Sequence, residues 1–247
     1  MGEILLEVQH LNKRYGAIEA TKDFSFSVAK GELHALIGPN GAGKTSLVNQ
    51  LTGDIFPDSG SIIFNGHNVT RLKAHRRARM GMARSFQITH IFEELTVAEN
   101  MALSIFANHG HNFKFLQNCL KTKLLTQKLP EALARVDLAK KASFSAKTLS
   151  HGEKRQLEVG MALTGDPELL ILDEPMAGMG PGGTVELARL IQKLKGKITI
   201  LLVEHDMEVV FSLADMVTVL VYGENLVTAA PETVRSDAQV KRAYLGD

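Results

Sequence analysis

The sequence predicts an α/β fold built on a mainly parallel sheet, with a small β region ahead of it and a helical insertion inside it. Three observations carry this. Short buried runs such as 33-LHALIG-38, 168-ELLILD-173, 198-ITILLVE-204 and 216-MVTVLVY-222 alternate with amphipathic stretches, the pattern of parallel strands covered on both faces. The first thirty residues read as strand rather than helix. From about residue 72 to 165 the pattern turns helical before the strand-helix alternation resumes.

The elements follow in order. The stretches 3-EILLEVQHL-11 and 22-KDFSFSVAK-30 are β-rich, and the second alternates at Phe24, Phe26 and Val28. A turn at Gly31-Glu32 leads into the strand 33–38. Next comes a helix over 43-GKTSLVNQLTG-53, with Leu47, Val48 and Leu51 on one face and Gly53 as its stop. After the turn 57-PDSG-60, 61-SIIFNG-66 is a strand. The basic run 71-RLKAHRRAR-79 reads as a solvated helix face, with a docking surface as the lesser alternative. Thr96 and Glu99 form a capping box that starts a helix through Ala107, and Pro130 suits the first turn of another. No period is clear over 108-NHGHNFKFLQN-118. Ser150 and Glu153 make a second capping box before a helix to about Thr164. Helices at 182–195 and 206–214 then alternate with the last strands. The expected organisation is one domain over 1–247, with 1–71 and 166–247 as β region plus α/β core and 72–165 as the insertion.

Composition sets bounds. The chain has 247 residues, 45% of them apolar, which is ample for a packed core. A net charge of +1 gives no global field that would favour nucleic acid or an anionic membrane. The single cysteine, Cys119, excludes a disulfide framework within the chain and fits a reducing compartment. No apolar run approaches the roughly 18 residues of a membrane span, and no basic stretch followed by an apolar one opens the chain. The expectation is a soluble protein whose membrane role, if any, runs through a partner.

Chemistry concentrates in the loop Gly38-Pro39-Asn40-Gly41-Ala42-Gly43-Lys44-Thr45-Ser46, between a strand and a helix. Glycines let backbone N–H groups curl round a phosphate, and the helix N-terminus adds partial positive charge. Lys44 has the reach for β- and γ-phosphates, and the Thr45 hydroxyl suits Mg²⁺. There is no Asn-Lys-x-Asp guanine selector. In 169-LLILDE-174 an apolar strand ends on two acids, at the edge where an α/β sheet presents residues to its ligand. Asp173 stands where a carboxylate near Mg²⁺ is needed, and Glu174 where a water attacking the γ-phosphate needs a proton acceptor. His205 ends the next strand, next to that of Asp173, within reach of a γ-phosphate contact. Gln87 and Tyr15 carry no such meaning by themselves: one is a polar residue at an edge strand, the other an aromatic near the N-terminus.

Taken in order, these motifs resemble those of ATP-binding-cassette ATPases over nearly the whole chain. The resemblance implies a P-loop NTPase core with an antiparallel N-terminal β subdomain, binding ATP and Mg²⁺. It places Tyr15 on adenine, Gly38 to Ser46 in the Walker A loop, Gln87 in the Q-loop beside Mg²⁺, Asp173 and Glu174 in Walker B with its catalytic glutamate, and His205 as the switch histidine. Leu149-Ser150-His151-Gly152-Glu153 resembles the signature that contacts the ATP of a partner protomer in a head-to-tail dimer of identical or homologous ATPase subunits. It departs from the usual pattern at His151 and Glu153, and Gly180 stands where the family usually has Asp.

The segments 84-RSFQITHIFEELTVAEN-100, 173-DEPMAGM-179, 204-EHDMEVV-210 and 243-AYLGD-247 look like those of ATPase subunits of branched-chain amino acid, urea and amide importers. Partners implied by that likeness are transmembrane permease subunits and, indirectly, a solute-binding protein, with the ATPase peripheral on the cytoplasmic face of the membrane. The permease would dock near the Q-loop, where 88-ITHIF-92 offers an apolar patch. A soluble cassette acting on nucleic acid or ribosomes is the alternative. It fits less well, because the chain has one cassette and no heptad run. A P-loop kinase would leave the signature unexplained.

Overall fold

The computed structural model describes residues 2–85, 91–109 and 123–245. Gln87, residues 88–90 of the expected docking patch, most of 108–118, Cys119 and the last two residues lie outside them. The chain divides into two compact units. The first comprises Met1–Arg84, Glu168–Glu174 and Leu194–Asp247; the second comprises Ser85–Pro167 and Pro175–Lys193.

Two sheets build the first unit. Strands β1 (Ile4–Tyr15) and β2 (Ile18–Ala29) form a long antiparallel hairpin, and β4 (Ser59–Phe64) and β5 (His67–Asn68) extend it in the order β2-β1-β4-β5. The expected strands 3–11 and 22–30 are thus parts of longer ones. Pairing continues through Lys13↔Thr21 to Tyr15↔Ile18, where alternation of apolar residues has already ceased. The second sheet has the order β10-β9-β3-β8-β7-β6. Its members are β3 (Leu33–Ile37), β6 (Met82–Ser85), β7 (Leu169–Asp173), β8 (Thr199–Val203), β9 (Met216–Val221) and β10 (Glu224–Ala229). β3 pairs in parallel with β8 and β9, β7 pairs in parallel with β8, and β10 closes the edge antiparallel to β9. Every residue of β3, β7 and β8 is buried, as strands covered on both faces require.

Helix α1 (Lys44–Thr52) follows β3 and buries Leu47, Val48 and Leu51, and Gly53 caps it in a left-handed conformation. Those three side chains share one core with Leu6, Val8, Phe24 and Ile62 of the antiparallel sheet and with Leu36, Ile171 and Leu201 of the parallel one. Helices α7 (Met207–Leu213), α8 (Pro231–Ser236) and α9 (Ala238–Leu245) complete the unit, with α7 capped by Asp206.

Helices make up most of the second unit: α3 (Val97–His109), α4 (Lys123–Arg135), α5 (His151–Leu163) and α6 (Pro181–Leu194), the last residue of which falls in the first unit. Both expected capping boxes are present, at Thr96/Glu99 and Ser150/Glu153. A Cβ on Gly160 would come within 2.6 Å of Met101 Cε and 2.9 Å of Val136, so its bare Cα lets α5 approach α3 closely.

Two expectations need correction. Pro130 lies inside α4, not in a first turn. Buried Leu125 and Leu133 stand before and after it on one apolar stripe, and that packing carries the helix across the missing N–H. The basic run 71–79 is not a wholly solvated face. Within α2 (Ala74–Arg79), Arg77 is fully buried and donates to the carbonyls of Gln50, Leu51, Thr70 and Leu72. The compact units themselves divide at 84/85, and the helical one also takes in 175–193.

Candidate functional site

The phosphate loop runs from the end of β3 to the start of α1. Two of its glycines are required by close packing. A Cβ on Gly38 would lie 2.2 Å from the Leu220 carbonyl, and one on Gly43 would lie 2.1 Å from that of Ala20. Gly43 also has φ 108 and is the N-cap of α1, with no side chain accepting from the first turn. The helix therefore begins with backbone N–H groups that no side-chain cap has taken, an arrangement suited to an anion. Pro39 and Ala42 close the loop by an Ala42 N–H donation to the Pro39 carbonyl, and Gly223 donates to Ala42 O at 2.9 Å. Asn40 and Gly41 lie at the loop's exposed or partly exposed rim, and Thr45 is exposed with Ser46 partly buried beside it.

Lys44 is buried, and its ammonium donates to Gly38 O at 2.7 Å and Pro39 O at 3.2 Å. Burial pushes its pKa below the ordinary 10.5, against the opposing pull of Glu174, Asp173 and Glu204 in that order. Those three carboxylates are thus close enough to the lysine for their charge to be felt. The sheet explains why: β3, β8 and β7 are consecutive and parallel, so the loop after β3, Glu204-His205 after β8 and Asp173-Glu174 after β7 leave the same edge.

Asp173 is 3% exposed, and its Oδ2 accepts from Arg84 Nη2 at 2.7 Å. Glu174 follows in a left-handed conformation at φ 45, and its N–H donates to Val203 O at 2.8 Å. A non-glycine residue held there costs about 1–3 kcal/mol, which the surrounding β7–β8 pairing must offset. His205 is largely exposed, its N–H donates to Glu204 Oε2 at 3.0 Å, and its Nδ1 lies 3.6 Å from the same oxygen. Tyr15 sits 44% exposed at the hairpin tip with Lys13 Nζ 5.5 Å from its ring centroid. The Ala20–Gly43 approach brings that hairpin beside the loop. Gln87 lies outside the described residues.

Which metal would suit this edge follows from its donors. Among the described residues no group of three or more His, Cys, Asp or Glu has metal-binding geometry. The candidates are oxygens, the exposed Thr45 hydroxyl and the Asp173 carboxylate. A hard cation that keeps several waters and arrives with substrate phosphates, as Mg²⁺ does, fits such a set.

Sequence reading missed three groups in this unit. Glu204 is fully buried yet ionisable, Arg84 holds Asp173, and the half-buried Tyr244 of α9 neighbours the Gly38 backbone, burial pushing its phenol pKa up. The pattern 204-EH-205 at a strand end could have signalled the first; nothing local marks the other two.

In the second unit, Ser150 is the N-cap of α5 and its Oγ accepts from Glu153 N at 3.2 Å. Glu153 returns the contact, Oε2 accepting from Ser150 N at 3.0 Å, while its other oxygen pairs with Lys141. Burial alone would raise the Glu153 pKa, but the Lys141 and Ser150 contacts outweigh it and hold the carboxyl below its ordinary 4.5. Gly152 is buried because its Cα faces Gly183, where an added Cβ would come within 3.1 Å, whereas His151 is exposed. Gly180 precedes α6, its carbonyl accepting from Thr184 N at 3.2 Å, with open space where a side chain would stand.

The parallel sheet order, the phosphate loop at its edge and the acid pair beside it define a nucleotide-binding cassette. The ABC transporter family pattern matches residues 21–177, and the chain belongs to that family as an ATP-binding-cassette ATPase. It is similar over 257 aligned residues, covering 100% of both chains, to two high-affinity branched-chain amino acid transport ATP-binding proteins. These are BraF of Pseudomonas aeruginosa, 38% identical, and LivG of Escherichia coli, 37% identical. A solved ATP-binding cassette of an ABC transporter in its ADP conformation superposes with a TM-score of 0.87 at 28% identity, covering 99% of each chain. No helix among the described residues is long and apolar enough to cross a membrane.

Proposed function

We propose that this chain is the ATP-hydrolysing subunit of a membrane importer for branched-chain amino acids or related small amides. One observation carries the catalytic part: β3, β8 and β7 are adjacent and deliver Gly38–Ser46, Glu204-His205 and Asp173-Glu174 to one edge. The substrate class is supported by full-length likeness to BraF and LivG.

In this reading the α1 N-terminus and the loop N–H groups hold the phosphates, and Lys44 exchanges its Gly38 and Pro39 carbonyls for β- and γ-phosphate oxygens. Tyr15 lies under the adenine. Thr45, Asp173 and Gln87 would hold Mg²⁺ brought in with the nucleotide, which would supply positive charge against that of the phosphates. Glu174 accepts the proton of the attacking water, and His205 contacts the γ-phosphate. Ser150, His151, Gly152 and Glu153 meet the ATP of a second cassette. ATP closes that dimer and hydrolysis opens it, which moves separate permease subunits by differential affinity for the two states. The site of action is the cytoplasmic face of the membrane, with a solute-binding protein delivering the substrate from the other side.

The test is to express the chain with its membrane partners and measure energised uptake of leucine, isoleucine and valine alongside short amides. Uptake that Lys44→Ala abolishes supports the reading. A purified chain that hydrolyses ATP but retains salt-sensitive RNA in place of membrane proteins contradicts it.

A further inference from the structure

We propose that Arg84 is a positioning residue that fixes the Asp173 carboxylate relative to helix α1 and so sets the affinity of the ATP site for its divalent cation. This rests on the reading of Asp173 as a holder of that cation. The guanidinium is 13% exposed at its side chain and splits its fork between two elements. Nη2 donates to Asp173 Oδ2 at 2.7 Å, at the end of β7. Nη1 donates to Asn49 Oδ1 at 2.8 Å and Asp54 Oδ2 at 3.2 Å, on and just after α1.

Both anchors on the α1 side are themselves held. The Asn49 carbonyl accepts from the N–H groups of Gly53, Asp54 and Ile55, and Asp54 Oδ2 also accepts from Thr52 Oγ1 at 2.7 Å. Arg84 is therefore not a loose side chain that drifts onto an acid; it is pinned at one end and holds Asp173 with the other. Asn49 follows Thr45 by four residues, so the two lie on one face of α1, one turn apart. A single planar cation thus sets the spacing between the face that carries Thr45 and the carboxylate of Asp173. It takes up Oδ2, and among the described residues Oδ1 has no direct hydrogen bond, which leaves that oxygen for the cation's shell. Lysine cannot reproduce this, since one ammonium has no fork to span both anchors.

The experiment uses Mn²⁺ as the cation probe, titrated by electron paramagnetic resonance into the full chain with a non-hydrolysable ATP analogue. Arg84→Met is expected to raise the Mn²⁺ dissociation constant about 10–100-fold, the usual effect of removing a partner behind a metal ligand, while analogue affinity in EDTA stays unchanged. Arg84→Lys should fall between wild type and Arg84→Met. Unchanged or tighter Mn²⁺ binding in Arg84→Met overturns the proposal, because it makes the guanidinium a competitor of the cation or a purely structural group. If Arg84→Met does not fold, Arg84→Lys decides by the same comparison: weakened Mn²⁺ binding supports the proposal and wild-type binding overturns it. Asp173→Asn separates the two readings. If it leaves Mn²⁺ binding intact, Asp173 is not a cation holder; if it weakens binding while the Arg84 variants do not, only the role of Arg84 fails.

Discussion

The Glu153 carboxylate closes back on the Ser150 N–H at 3.0 Å and pairs through its other oxygen with Lys141. At a segment read as the signature, with an acid in place of the usual amide, both oxygens are engaged within the helical unit and a lysine neutralises the charge. The acid also makes a pH prediction. Its folded pKa lies below the ordinary 4.5, so its stabilising contribution is complete above that value and is lost as pH falls through the lower folded value. Glu153→Gln should flatten the acid side of a stability–pH curve below about pH 4.5. Ser150→Ala should cost about 1 kcal/mol in urea denaturation, the worth of an N-cap. An acid limb in Glu153→Gln identical to wild type would rule out this role for the pair.

Arg77 predicts a larger loss. Its guanidinium remains charged at neutral pH, although burial lowers its pKa to about 10, and it is shared among four backbone carbonyls, two of them in the last turn of α1. Hydrogen bonds to a charged group are worth about 1.5–3 kcal/mol each, so Arg77→Met should cost at least about 3 kcal/mol. A lowered denaturant midpoint with an unchanged slope is the expected signature. A cost indistinguishable from zero would mean that water replaces the guanidinium without strain.

Gly41 and Gly43 should respond very differently to alanine. Gly41 has φ 79 and open space around its missing Cβ, so Gly41→Ala carries only backbone strain, about 1–2 kcal/mol. At Gly43 the added carbon would lie 2.1 Å from the Ala20 carbonyl, so loop and hairpin must separate. Gly43→Ala is expected to abolish ATP-analogue binding, whereas Gly41→Ala leaves it measurable. Equal binding by the two variants would contradict the packing argument.

Gly180→Asp should be accepted. The position has open space, is absent from the positive-φ glycines, and its carbonyl already starts α6. An Asp there caps the helix and should stabilise it by a few tenths of a kcal/mol over Gly. If the missing acid weakens communication between paired sites, the variant should also raise the Hill coefficient of ATP hydrolysis. Marked destabilisation would show that glycine is needed for the backbone itself.

The strands and the phosphate loop were legible because their signals are local. Buried runs bounded by turns locate β3, β7, β8 and β9 to within a residue or two, and the spacing of Leu47, Val48 and Leu51 defines α1. Residues whose partners are distant in sequence were not legible. Arg77 reads as one more cation in a basic run until the carbonyls of Gln50 and Leu51 are seen above it. Arg84 lies 89 residues from Asp173 along the chain. Pro130 signals a helix start, and only the buried Leu125 and Leu133 reveal that the helix passes through it. The edge strand β10 and helices α8 and α9 went unread beyond Tyr222, where burial is partial and the apolar period weak.

The central claim is that Glu174, held at φ 45 beside the buried Asp173, accepts the proton of the attacking water. Steady-state ATP hydrolysis by Glu174→Gln tests it most directly. The amide keeps the side chain's size and removes its basicity, so turnover should fall about 10²–10⁴-fold, the usual contribution of a general base. ATP should remain bound and the chain should accumulate as a dimer in gel filtration. Turnover equal to wild type, with ATP binding intact, would contradict the claim and require a different base.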